Sequence, residues 1–494
     1  LQSIQEDKRE SVNVAMENLP ADNLKYYDLG SGLVTNTIGS SMIKWNMASF
    51  MGRINYNYLG RYLLTVSARY DGSSRLADGH KWVLFPSAAL AWRINEESFM
   101  SSTSGWLDNL KLRLGFGKTG NSAVDPYQTK GTLSLIRYPF DNGGTPTIGY
   151  APNAMANSLL TWETTDQWNL GIDFGVLRGR INGTIDLYMQ NTHDLLLKRQ
   201  LPVVSGFPDV LSNVGKTRNK GIEVSINSMN INSKDFQWTT DLMLSSNKEE
   251  IVELYNGKND DIGSKWFIGQ PVNVHYDYRK VGIWQNTESD LAEMAKFAAN
   301  GTEFAPGDIK IQDVNGDYKI TDADKQILGN PRPKLIASMV NTFNYKGFDL
   351  SVFLYASFGA MLYNDIYAVE HCGRNGGVKV DYWTPNNPTN AYPRPSIDEE
   401  RPIYITSTYY EKADFLRVKT MTLGYTLPKT LTNKFLVEKL RVYFTAQNPF
   451  IFTNYTGIDP EAAKVNSAGN PETNGSGFGT PSVSSWIFGI NLTL

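Results

Sequence analysis

The sequence predicts an all-β protein, a transmembrane antiparallel β-barrel with long loops at one end. Three observations predict it: the alternating pattern on which the chain ends, the recurrence of that pattern, and a sorting of the connections by length. In the last segment Trp486, Phe488, Ile490, Leu492 and Leu494 share one face of an extended strand, while Ile487, Gly489, Asn491 and Thr493 share the other. Successive side chains of a strand point to opposite sides of its sheet, so this alternation gives one wholly apolar face. A membrane barrel closes on such a C-terminal strand. Taken alone, the segment equally suits the last strand of a soluble sandwich.

Taken in chain order, similar alternation lies near residues 47–58, 62–70, 86–94 and 110–117. Trp168, Leu170, Ile172, Phe174 and Val176 then oppose Asn169, Asp173 and two glycines, and a turn at 177–180 leads to Ile181, Ile185, Leu187 and Met189 opposing Asn182, Thr184, Asp186 and Gln190. Ile222, Val224 and Ile226 oppose Glu223, Ser225 and Asn227. After a turn at 232–235, Phe236, Trp238, Leu242 and Leu244 oppose Gln237, Thr239 and Asp241. Further strands are expected at 335–345, from Phe348 to Leu354, at 415–427 and from Leu440 to Ala446. The total is about thirteen strands. Helix signals are few, and residues 289–299 are expected to form a short helix inside a loop.

The connections carry more weight. Every second one is short: around Leu59-Gly60-Arg61, 95–109, 177–180, 232–235, 346–347 and 428–438. Those between are long: 71–84, 119–163, 192–215, 248–334, 359–413 and 450–483. A sandwich has no reason to sort its loops by parity, whereas an outer-membrane barrel has short periplasmic turns and long extracellular loops. With a periplasmic C-terminus, counting back about thirteen strands places residues 1–46 outside the cell. Because complete single-chain bacterial barrels have an even strand number, the odd count predicts that an N-terminal part of the barrel is missing.

Composition sets the limits. Of the 494 residues, 41% are hydrophobic, and the mean hydropathy is −0.34. No run of about 18 apolar residues occurs, so no transmembrane helix is expected. Barrel strands need only half their residues apolar, so this balance is compatible with a membrane barrel. The 26 Tyr and 11 Trp suit aromatic girdles and binding surfaces alike. A net charge of −3 provides no basic footprint for nucleic acid. The single cysteine, Cys372, excludes an internal disulfide. Leu1-Gln2-Ser3 does not begin a signal peptide, so for a surface protein the true N-terminus is expected to be missing or removed.

Specific words in the sequence point further. Phe50-Met51-Gly52-Arg53-Ile54-Asn55-Tyr56-Asn57-Tyr58 and Arg61-Tyr62-Leu63-Leu64-Thr65 lead into Arg69-Tyr70-Asp71-Gly72-Ser73-Ser74-Arg75. Phe85-Pro86-Ser87, Ala91-Trp92-Arg93 and Gly117-Lys118-Thr119-Gly120-Asn121 follow, then Trp383-Thr384-Pro385-Asn386-Asn387-Pro388-Thr389-Asn390 and Leu423-Gly424-Tyr425-Thr426-Leu427-Pro428. In this order they resemble the C-terminal part of the SusC/RagA family of TonB-linked outer-membrane transporters. The resemblance implies that residues 1–494 are the C-terminal part of a barrel of about 22 strands. The plug domain, TonB box and first barrel strands of the family have no counterpart here. It implies active import of bulky nutrients, glycan oligosaccharides or oligopeptides, across the bacterial outer membrane. It also implies a SusD-like surface lipoprotein as lid, and energy from the TonB–ExbB–ExbD complex through the plug. A passive porin and a soluble carbohydrate-binding or adhesion protein are the alternatives.

One motif is sharp. Within an expected extracellular loop at 300–330, Asp313, Asn315, Asp317 and Asp324 place oxygen donors at positions one, three, five and twelve of a calcium-loop pattern, with the backbone carbonyl of Lys319 at seven. The pattern resembles the dockerin version, and the expected cofactor is a structural Ca2+. Tyr318 departs from it, since glycine usually makes the sharp turn there. No catalytic constellation is expected. His80, His193, His275 and His371 have no helical zinc spacing. His371-Cys372 lies in a polar loop, and Gly143-Gly144 and Gly376-Gly377 read as loop glycines. Trp266-Phe267 and Tyr409-Tyr410 suit loop packing or girdles ahead of sugar stacking.

Overall fold

The computed structural model describes residues 2–17, 34–138, 140, 147–364, 379–395, 401–435, 437–461 and 481–493. Its main element is one antiparallel sheet of fourteen strands running in chain order. These are β1 (Gln2–Glu17), β2 (Val34–Tyr58), β3 (Tyr62–Ser73), β4 (Trp82–Arg93), β5 (Leu107–Asn121), β8 (Glu163–Val176) and β9 (Ile181–His193), then β12 (Lys216–Asn232), β13 (Phe236–Glu253), β18 (Leu335–Tyr345), β19 (Phe348–Phe358), β22 (Phe415–Thr426), β23 (Lys439–Thr453) and β24 (Ser485–Thr493). The intervening strands form separate hairpins in the long loops: β6 (Thr132–Tyr138) with β7 (Thr147–Ala154), β10 (Leu196–Gln200) with β11 (Asp209–Asn213), β14 (His275–Asp277) with β17 (Gln326–Gly329), β15 (Lys280–Ile283) with β16 (Ile309–Ile311), and β20 (Met361–Tyr363) with β21 (Tyr410–Lys412). No described helix is long and apolar enough to cross a membrane.

The strand count corrects the expectation of about thirteen. The added strand is β1, which pairs with β2 from Gln2↔Phe50 to Glu17↔Val34. Residues 1–46 are therefore not a purely extracellular lead-in: β1 runs alongside β2, and the parity argument from an odd count falls. The even count does not close the sheet. Among the described residues β1 bonds only to β2 and β24 only to β23, so both edges are open.

The short connections make tight turns. Lys346 and Gly347, at φ 46° and 91°, join the directly opposed Tyr345 and Phe348. Positive φ at both central residues marks the hairpin turn whose twist matches its strands. The two faces then differ sharply. Leu64, Leu90, Leu114, Leu170, Leu187 and Ile222 are successive cross-strand neighbours over six strands. Each remains 40–48% exposed. An unbroken apolar row of this length is a lipid-facing band rather than a solvated surface. Towards the short turns aromatic rings gather: Tyr62 lies between Tyr58 and Trp92, and Phe348 meets Tyr425 at 4.4 Å. Such rings form the girdle at a membrane interface.

The opposite face is charged. Arg113 donates from Nε to Asp173 at 2.9 Å and from Nη2 to Asp186 at 3.0 Å, and Lys111 lies 3.3 Å from Asp173. The guanidinium crosses β8 directly over Gly171, where a Cβ would come within 2.6 Å of it. Arg441 likewise bonds Asp349 on the same face, passing over Gly424.

Buried apolar residues collect at the long-loop end. Ile283, Ile309 and Ile311 from the β13–β18 connection pack with Trp383, Ile405 and Tyr409 from the β19–β22 connection. The expected helix is present as α1 (Glu288–Ala299), capped by Thr287, with Met294 and Phe297 buried against Trp284. Two long loops thus share one small core at the barrel mouth.

Candidate functional site

The calcium-type segment follows β16 and lies against this core. Its acidic side chains are held by the loop's own amides. Asp313 accepts from the N–H of Gly316 at 2.7 Å and of Tyr318 at 2.8 Å, and Asn315 accepts from Asp317 at 3.0 Å. Asp317 accepts from the N–H of Lys319 at 2.8 Å. Asp324 is fully buried and accepts from Val314 N–H at 2.9 Å and Thr321 N–H at 2.8 Å, so the two ends of the segment meet. Lys319 is exposed. Tyr318 does adopt the left-handed conformation, with φ 57°. Its ring packs edge-on against Phe297 at 5.4 Å, a contact that glycine could not make and that offsets the strained backbone. Among the described residues no three His, Cys, Asp or Glu side chains are grouped to hold a metal ion. The donors stand in calcium order without forming a ready cage.

Titratable groups around the loop core are tuned by burial. His275 is buried, lies tilted against the Tyr410 ring with centroids 5.1 Å apart, and bonds the Met361 carbonyl through Nε2 at 2.8 Å. Desolvation holds its pKa below the usual value. Burial and then Asp322 push the Tyr278 phenol up to about 12. Tyr410, hydrogen-bonded to Asp277 at 3.0 Å, is also raised, first by burial. These are packing groups with suppressed ionisation, and they form no acid–base pair.

The aromatic pairs behave as packing residues. Tyr409 is 2% exposed and belongs to the shared core, and Phe267 is buried beside Tyr276. His371-Cys372, Gly376-Gly377 and Gly143-Gly144 lie outside the described residues. A polar depression of about 310 Å³ was not foreseen as a unit; Asn169, Asp186, Tyr188, Asn219, Glu223 and Asn247 are among its lining residues. The sequence signal for it was the repeated polar position opposite each apolar one.

Comparison with known proteins agrees with this architecture. Residues 17–449 match the family model described as TonB dependent receptor-like, beta-barrel. The chain is 32% identical over 509 residues to TonB-dependent receptor P3 of Formosa agariphila, covering 99% of this chain and 50% of that protein. It is 35% identical over 434 residues to TonB-dependent receptor SusC of Bacteroides thetaiotaomicron, covering 84% and 41% respectively. The RagAB peptide transporter shares its fold, with a TM-score of 0.80 at 23% identity, over 99% of this chain and 52% of that one. The chain thus spans about half the length of the relatives it matches. With its sequential sheet, its lipid-facing band and this match, the chain belongs to the TonB-dependent receptor family and is part of an outer-membrane β-barrel of the SusC/RagA type.

Proposed function

We propose that this chain is the C-terminal part of a barrel that actively imports bulky nutrients, glycan oligosaccharides or oligopeptides. In this reading a SusD-like lipoprotein closes the barrel from outside, and TonB–ExbB–ExbD supplies energy through a plug contributed by the N-terminal part. The observation that carries it is the contrast between the two faces of the same strands: a continuous leucine row outside and an Arg113–Asp173–Asp186 network inside. A polar wall of that kind suits a hydrated lumen. The family match supports energised import over a passive pore, and RagAB is by name a peptide transporter. Import makes and breaks no covalent bond of the nutrient, so no enzymatic role is proposed. Uptake of labelled oligosaccharides and peptides by cells with and without TonB tests the reading. Uptake that persists undiminished without TonB would establish the porin alternative.

The open edges support a second statement. Unpaired strand N–H and C=O groups cannot face hydrocarbon, so spanning sheets close. We read the fourteen strands as completed by about eight more from the N-terminal part, for a barrel of about 22 with a plugged lumen. Affinity purification from native membranes is expected to recover that part and the lid lipoprotein.

For Asp313, Asn315, Asp317, Asp324 and the Lys319 carbonyl, we propose a structural Ca2+. The support is the donor chemistry: oxygens only, which favour calcium over zinc. The ion would draw together and neutralise the aspartates of this segment, beside the core that Tyr318 enters.

A further inference from the structure

A second site lies at the long-loop end, away from the calcium-type loop. It is a pocket of about 530 Å³ between the outer part of β2, the β3–β4 connection and residues 126–130. Its walls carry Lys44, Arg75, Lys81 and Lys130 against one carboxylate, Asp78. Two of these charges are engaged: Lys44 lies 3.2 Å from Glu6 and Lys81 lies 2.5 Å from Asp78. Among the described residues Arg75 and Lys130 have no carboxylate at salt-bridge distance. The Arg75 guanidinium lies 3.8 Å over the Trp45 ring, and its buried Nε has no hydrogen-bond partner. A guanidinium without a carboxylate partner would gain a charge-assisted hydrogen bond from an anion in the pocket.

The floor is Leu76, buried with Val124, Leu160 and Trp162. Tyr127 is held in the left-handed region, φ 71°, while its hydroxyl accepts the Lys44 N–H at 3.1 Å and the residue stays 44% exposed. Strain of this kind at a pocket rim is typical of binding sites. Trp45 lies on the face of β2 shared by Met47 and Ser49, opposite Phe50 and Ile54, so the pocket opens inside the mouth and not towards lipid.

We propose that this pocket binds the acidic residue of an oligosaccharide, a uronate or a sulfated sugar. Arg75 and Lys130 hold the carboxylate or sulfate, and Tyr127 offers its ring face to the sugar. A peptide gripped through its main chain would need a free strand edge. That edge of β2 is already taken here: the Lys44 N–H by Tyr127, the Asn46 N–H by Ser74 Oγ, and the Asn46 carbonyl by the Ser74 N–H. What remains around the cavity is side-chain hydroxyl and carboxamide chemistry from Asn46, Thr129 and Ser158, which suits a polyhydroxylated ligand.

The inference rests on the import reading and specifies its substrate class. Calorimetric titration of the complete detergent-solubilised transporter with trigalacturonate tests it, with maltotriose and triglutamate as comparison probes. Trigalacturonate is expected to bind more tightly at low salt than at high salt. Arg75→Gln and Lys130→Gln should each weaken it by roughly tenfold or more, the scale of a charge-assisted hydrogen bond. Lys130 is exposed, so its variant keeps the fold even if Arg75→Gln does not. No binding of trigalacturonate, or binding that Lys130→Gln leaves unchanged, overturns the proposal. So does triglutamate binding in its place with the same sensitivity. Calorimetry needs no energised membrane, so failed cellular uptake with intact binding would count against the import reading alone.

Discussion

Replacing Leu170 with Arg puts a charge at the centre of the leucine row. Leu170 is six residues from Val176 at the short-turn end of β8. At a rise of about 3.3 Å per residue this is roughly 20 Å along the strand. With a strand tilt near 40° it is about 15 Å of height, close to the middle of an apolar band about 25 Å tall. Its cross-strand neighbours are Leu114 and Leu187, so no nearby carboxylate can receive the guanidinium. A lipid-facing Arg at that depth costs about 2–4 kcal/mol. That corresponds to a roughly 30- to 900-fold shift in the folding equilibrium. The adjacent Asn169 points to the other face and borders the polar depression. Asn169→Arg should therefore cost no more than about 0.5 kcal/mol, as for a surface substitution. Urea-dependent folding of the complete barrel into phosphocholine vesicles measures both. An Asn169→Arg penalty equal to or larger than that of Leu170→Arg would refute the assignment of faces.

Four further outcomes are expected. Gly171→Val would drive Arg113 away from Asp173 and Asp186; overpacking of this kind should cost about 1–3 kcal/mol, read as a lowered urea midpoint. His275 is held neutral by burial, with its pKa below the ordinary 6.5, so the unfolded loops bind more protons than the folded ones as pH falls below 6.5. The loop core should accordingly lose stability on acidification, followed by Trp284 and Trp383 fluorescence, and His275→Phe should flatten that dependence. Asp313→Ala combined with Asp317→Ala should abolish bound calcium by elemental analysis and increase proteolysis near residue 315, with the barrel still folded; absence of calcium from the unsubstituted protein refolded in excess calcium would end the metal assignment. In a Cys372→Ser background, a cysteine at Lys346 should resist impermeant reagents on intact cells while one at Thr384 reacts, and the reverse pattern would invert the topology.

Much of the barrel was legible in the chain. The strands at 62–70, 86–94, 335–345 and 415–427 lie where alternation places them, within a few residues. The helix expected at 289–299 is α1. β1 was not legible, because Gln2–Glu17 mixes Glu6, Asp7, Lys8, Arg9 and Glu10 with few apolar side chains and becomes a strand through its long pairing with β2. The calcium-type loop was visible as spacing, yet the burial of Asp324 and the packing of Tyr318 on Phe297 were not.

The sequence by itself determined thirteen of the fourteen strands of the main sheet, which face of each is apolar, and which connections share an end. Those properties are local: a side chain's direction in a strand has period two whatever its partner, and a two-residue turn constrains only its own backbone. Only the tertiary structure decided that Arg113 reaches Asp173 and Asp186, that two long loops share one core, and that Trp45, Arg75 and Lys130 border one pocket. Each joins segments far apart in the chain, and what brings them together is the register of the sheet and the burial of side chains from different loops, neither of which any single stretch of sequence encodes.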